Sequence, residues 1–266
     1  CGIICFIYWA GSGFGALEIE ISQVMKHTLP IIIAVSMVSA IGGLVFNTMP
    51  LLLNSLSTTL GLTPEQLGNL SFCAGLGYLV GTVSGPLWVD RVNWRLAGFG
   101  IVALAVLSFL LASVVSGALL AFAFTGFAFF CALAIALGMR VLAEMPDPER
   151  AFGARLSVEL LSIGVFLGIL PVYFIAKSGF AGAMLGLAAF TALLGVGVFL
   201  MPKRSRDKSA AEMKGFPSWS KAKPAWLILA IFLFYLLANV GLFFFLAVIA
   251  QKFDPTAGQF GLMFLV

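Results

Sequence analysis

Charge is what this sequence most lacks. Asp, Glu, Lys and Arg make up 10% of its 266 residues, while 61% are apolar and the mean hydropathy is +1.10. A soluble domain carries about 25% charged residues, so this composition excludes a single water-facing globule. There is one histidine, His27, and there are four cysteines, Cys1, Cys5, Cys73 and Cys131. The last two lie inside apolar runs and read as small packing residues. No cluster of metal-ligating residues, glycine-rich phosphate loop or nucleophile–base pair is visible, so no cofactor is expected. The same absences argue against an enzyme and against an ATP-driven pump. The net charge of +4 comes from basic residues scattered over short loops, which argues against a nucleic-acid partner.

What is present is long apolar runs. A helix needs about 20 apolar residues to cross the hydrocarbon layer. Seven runs qualify: 29–53, 67–89, 96–115, 118–139, 156–176, 180–201 and 225–250. An eighth begins near Ala257. Among the seven, only the fifth contains a charge, Glu159. Both faces of such helices must be apolar, because in lipid the backbone is satisfied within the helix. The expected fold is therefore all-α, a polytopic transmembrane helical bundle. Alternating the loops between two sides puts thirteen of the fifteen Lys and Arg on the side of the N-terminus. Basic residues mark the cytoplasmic side, which predicts a cytoplasmic N-terminus in a plasma or inner membrane.

The runs are not evenly spaced. The stretch 202–224 is polar and basic and reads as a cytoplasmic linker. It separates an N-terminal six-helix bundle, 25–201, from the start of a second bundle, 225–266. Met25 reads as a native start, and residues 1–24 as an upstream or non-native leader. A repeat supports two halves. Pro30 opens the first span and Pro224 the seventh, with Asn47 and Asn239 following 17 and 15 residues later. TPEQLG at 63–68 is echoed by TAGQFG at 256–261, an offset of 193. Parallel six-span repeats are a known transporter architecture.

Between the second and third runs lies GPLWVDRVNWR, Gly85 to Arg95. It resembles the cytoplasmic loop signature of the major facilitator superfamily in Asp90, Arg91 and Arg95. Pro86 holds the place of the expected first glycine and Asn93 that of the second. Asn tolerates positive φ, which would allow a tight turn there. The resemblance implies a parallel 6+6 helical fold, truncated here in its eighth span. It also implies that Asp90 helps latch the two halves on the cytoplasmic side, with Arg140 as its partner on the fourth span. The remaining C-terminal spans of the same transporter would then be the chain's natural partner, along with the lipid bilayer and a small-molecule substrate. Read without the resemblance, these are charges flanking two helix ends.

Other positions carry two readings each. Gly77, Gly81 and Gly85 recur every four residues on the second span, and Gly164 and Gly168 on the fifth; Gly182 and Gly186 do so on the sixth. Such spacing lets helix backbones approach closely, either statically or as sliding surfaces. GVFLGILP, 164–171, only loosely matches the antiporter signature of the superfamily. Phe122 stands where its drug:proton antiporters carry an Arg. Glu159 lies four residues after Arg155 and either pairs with it or couples an ion. Asn47, Asn239 and Tyr235 are candidates for substrate contact, because in this fold the first and seventh helices line the central cavity. The expected function is a secondary transporter of small solutes working by alternating access, driven by an ion or substrate gradient. The alternative is a transporter-like sensor or scaffold that binds ligand without flux.

Overall fold

The computed structural model describes residues 2–203, as backbone alone before Leu29, together with Trp226, Leu227, Ala230, Ile231 and Phe234. The calls on Tyr235, Asn239, most of the basic linker and the TAGQFG echo fall outside the described residues. Within residues 2–203 six α-helices follow in order: α1 Gly2–Leu60, α2 Pro64–Trp88, α3 Trp94–Ala112, α4 Ala118–Ala143, α5 Pro148–Ile169 and α6 Ala176–Gly195. A π-helical turn, Leu170–Ile175, carries α5 into α6, and a 3-10 turn, Val196–Leu200, ends α6. No strand occurs among the described residues.

Among the described residues, five segments are long and apolar enough to cross a bilayer: Leu29–Leu60, Pro64–Trp88, Trp94–Ala112, Ala118–Ala143 and Pro148–Leu200. The last is a hairpin. Its backbone leaves helical geometry at Ser178 (φ −139°) and at Gly179, whose φ of +56° suits glycine. Beyond this point the chain returns along itself. Phe166 stacks on Phe190 with ring centroids 4.5 Å apart. Gly186 faces Leu170 and Phe174, and Gly182 faces the carbonyl of Phe174. The segment therefore supplies two passes, and residues 29–200 supply six.

Local chemistry sets the turns. Gly61, at φ +63°, follows the end of α1. Thr63 then caps α2 in a reciprocal box: its hydroxyl accepts from the Gln66 amide and the Gln66 side chain accepts from the Thr63 amide. Asn93 caps α3 by accepting from the Leu96 amide at 3.2 Å. Its φ is −73°, so the tight turn expected from positive φ is replaced by a side-chain cap. Asp147 caps α5 with Pro148 in the first turn. Pro30 stands at the start of the first span, Leu29–Leu60, but inside α1, as does Pro50. Apolarity ends the first run at residue 53, but the helix continues through seven mostly polar residues to Leu60.

Helix α1 is central and packs against α4, α5 and α6, while α4 also packs against α2 and α3. Val35, Val38, Ile41, Leu44 and Leu52 of α1 are fully buried. Beside them Phe109 stacks on Phe127 at 4.8 Å. Leu79, Val80, Val83 and Leu87 of α2 and Leu160 and Leu161 of α5 are exposed. Water would penalise such surfaces; lipid does not.

Candidate functional site

Two polar constellations stand out. The first lies where α2, α3, α4 and α6 meet, at the end rich in basic loops. Asp90 follows the end of α2, and Arg140 is in the last turn of α4. Arg140 Nε donates to Asp90 Oδ1 at 2.6 Å, and Arg140 Nη2 lies 2.8 Å from Glu144 Oε1 one helical turn later. One guanidinium thus holds two carboxylates, Asp90 at the end of α2 and Glu144 at the end of its own helix. Glu144 is the more buried carboxylate, its side chain 10% exposed against 56% for Asp90. Arg95 turns away from Asp90. Its Nε and Nη2 donate to the Met201 carbonyl at 2.9 and 2.7 Å, satisfying an acceptor at the end of α6. Trp94 completes this junction. Its Nε1 donates to the Val89 carbonyl at 2.8 Å, and its amide to the Lys203 carbonyl at 3.1 Å. Arg91 is exposed.

The second constellation is inside the bundle, where α5 meets α1. Arg155 Nη2 lies 2.6 Å from Glu159 Oε2, and the two side chains are only 9% and 15% exposed. Arg155 Nε donates to Ser39 Oγ on α1 at 2.7 Å, across 116 residues of sequence. Glu159 Oε1 occupies the space that a Cβ at Gly43 would need. Asn47 Nδ2 donates back to the Gly43 carbonyl at 2.7 Å, which leaves its Oδ1 for another donor. The Tyr78 phenol of α2 is within electrostatic reach of both Arg155 and Glu159. Its ring meets Phe46 edge-on at 4.5 Å, and Phe46 is exposed, so the cluster reaches the bundle surface.

The glycines divide by environment. A Cβ at Gly81 would lie 2.7 Å from Ala132 Cβ and 2.7 Å from the Phe129 carbonyl, and one at Gly85 would lie 2.9 Å from Ala136 Cβ. Gly77 rests on the Thr125 carbonyl. These three form the seam between α2 and α4. Gly168, by contrast, has nothing within 4 Å and lies on an exposed part of α5, and Gly164 is half-buried. Contacts with no regular spacing are just as close: Gly42 on Ile135, Gly138 on Ser39, Gly195 on Val102 and Gly197 on the Ala34 carbonyl.

The sequence profile of the major facilitator superfamily matches residues 4–266. The chain belongs to the major facilitator superfamily. No curated protein matches it. Membership makes this an integral membrane protein of a transporter superfamily, consistent with its apolar helices. Transporters of this superfamily are generally not enzymes. Glu144, Ser39 and Gly43 are not among the candidate residues drawn from the sequence. The signal for Glu144 was its place one turn after Arg140; Ser39 and Gly43 had none, because their partners are on another helix.

Proposed function

We propose that this chain forms the first bundle and part of the second of a secondary transporter that moves a small solute by alternating access. A gradient of an ion or of a second solute drives it. In this reading the basic side is cytoplasmic, and the Asp90–Arg140–Glu144 network steadies the outward-open state. The observation that carries the reading is Arg140 of α4 reaching Asp90 at the end of α2, at 2.6 Å, while its Nη2 stays 2.8 Å from Glu144 on its own helix. A bridge between two helix ends at a membrane surface holds one arrangement of the bundle and breaks in another. Arg95 supports it by holding α3 to the end of α6. Asn47, with its free Oδ1, supplies a substrate contact from α1. The test is solute flux in proteoliposomes holding the whole transporter, with Asp90→Ala compared with the parent. Flux should fall while insertion and folding persist. Unchanged flux would remove the network from the transport cycle. Ligand binding without any flux in the parent would replace the transporter with a sensor.

A further inference from the structure

A groove on the flank of the bundle is left open by the packing. Helices α2 and α3 both pack on α4, and between them lies a cavity of about 420 Å³. Trp88 of α2, Ala97, Gly100 and Leu104 of α3, and Phe129 and Phe130 of α4 line it. Its volume falls in the range of small-molecule sites, roughly 300–1,000 Å³. Small residues keep it open: a Cβ at Gly100 would meet nothing within 4 Å. The wall makes no polar demand on an occupant. The Ser84 hydroxyl in it donates back to the Gly81 carbonyl at 2.8 Å. What fits such a slot is hydrocarbon. The groove starts at the membrane surface, where Trp88 ends α2 at the level that tryptophan favours. Phe130 lies ten residues before Arg140 on α4. At about 1.5 Å per residue the groove therefore reaches about 15 Å below the basic end of α4, half of the roughly 30 Å hydrocarbon layer. That is the depth of one leaflet.

The mouth of the groove is positive. Arg140 holds Asp90 and Glu144, and Arg95 donates to the Met201 carbonyl. Arg91, three residues after Trp88, is exposed and has no ion pair among the described residues. Lys203 is exposed too, and its carbonyl accepts from the Trp94 amide, one turn before Ala97. Cations above an apolar slot match a lipid with an anionic head. We propose that the groove binds one anionic phospholipid, with an acyl chain between α2 and α3 and its phosphate on Arg91. The proposal goes beyond the transport reading and needs only that the chain is an integral membrane protein. The two parts of the site have separate roles. The groove selects a chain and is indifferent to the head. Arg91 selects the head and is indifferent to the chain. A bound chain would also fill the space between α2 and α3, which touch α4 but leave this gap beside it.

The test uses the full-length protein in phosphatidylcholine vesicles. The probes are phosphatidylglycerol and phosphatidylcholine brominated on their acyl chains. Bromine quenches indole fluorescence on contact, and the Trp88 signal is the parent emission minus that of Trp88→Phe. Brominated phosphatidylglycerol should quench Trp88 at a mole fraction about fivefold lower than brominated phosphatidylcholine, the preference that one cation near the surface provides. Arg91→Gln should remove most of that preference and leave quenching by phosphatidylcholine unchanged. Gly100→Leu puts a side chain into the groove, so it should lower quenching by both lipids and end the preference. Equal quenching by the two lipids in the parent overturns the proposal. So does a preference that survives Arg91→Gln or Gly100→Leu. Quenching by neither lipid overturns it as well, since another segment of the protein would then fill the groove. None of these readouts depends on flux, so the transport reading stands or falls apart from this one.

Discussion

The seam between α2 and α4 gives a prediction in which one side effect can be cancelled. Gly81→Ala would place a Cβ 2.7 Å from Ala132 Cβ and 2.7 Å from the Phe129 carbonyl oxygen. Carbon atoms pack well at about 3.5–4.0 Å, so the helices would have to part by roughly 1 Å. The oxygen belongs to the α4 backbone and cannot rotate away. Overpacking of this kind costs about 1–3 kcal/mol. Alanine is also the better helix former, by about 0.8–1.0 kcal/mol, which partly hides the clash. Gly100→Ala on α3 is the control, because a Cβ there meets nothing within 4 Å. Both variants gain the same propensity, so their difference isolates the clash. Gly81→Ala should be less stable than Gly100→Ala by about 1–3 kcal/mol. Reversible unfolding of the purified protein in mixed micelles measures this. Equal stability of the two variants, or a more stable Gly81→Ala, would refute the claim that backbone proximity holds this seam.

Other perturbations follow the same logic. Gly43→Ala should displace the Glu159 carboxylate and destabilise the bundle by about 1–3 kcal/mol, and the same unfolding assay should show most of that cost vanish in a Glu159→Ala background. Arg140→Gln removes both ion pairs of this guanidinium, so it should impair transport more than Asp90→Asn, as read by initial flux rates. Salt at about 1 M shortens the screening length to about 3 Å. It should therefore weaken the half-exposed Asp90–Arg140 contact, as measured by distances between spin labels on the α2–α3 and α4–α5 loops, and leave Arg155–Glu159 intact. Thr63→Ala removes the cap of α2 and should cost about 1 kcal/mol of stability.

Much of this architecture can be read from the chain because membrane helices announce themselves by apolarity. The runs at 156–176 and 180–201 bracket the reversal at Ser178 and Gly179, and the pairing of Arg155 with Glu159 follows from their four-residue spacing. What cannot be read is which face of a helix its neighbours cover. Gly81 and Gly168 each have a glycine four residues away, yet one touches a backbone and the other touches nothing. Spacing names a stripe, and only the tertiary arrangement names what lies across it. Helix ends are obscure for a related reason. Hydropathy reports where lipid stops, not where backbone hydrogen bonding stops, so α1 outruns its apolar run. Ser39 is an ordinary small polar residue in the sequence; its significance comes from Arg155, 116 residues away.

The contacts also say how this bundle can move. Gly138 brings α4 to Ser39 of α1, and Gly42 brings α1 to Ile135 of α4. Gly77, Gly81 and Gly85 join α2 to α4, and Gly195 joins α6 to Val102 of α3. At most of these places a glycine meets a backbone carbonyl or a Cβ directly, and at Gly195 it meets the short, branched side chain of Val102. In lipid, where apolar burial gives no net drive to associate, such close packing is what holds helices together. A helix that slid along any of these seams would ride up on a carbonyl or a Cβ. Sliding inside the bundle is therefore costly, and the helices around α1 and α4 should move as one body. The two polar constellations are joined by ion pairs, which can break and re-form between discrete partners. Rocking of a rigid bundle, with the ion pairs of Arg140 and Arg155 as the contacts able to change partners, is the motion this packing permits. Labels placed on α2 and α4 should keep their separation throughout a transport cycle, and a change in it of more than about 2 Å would contradict rigid-body motion.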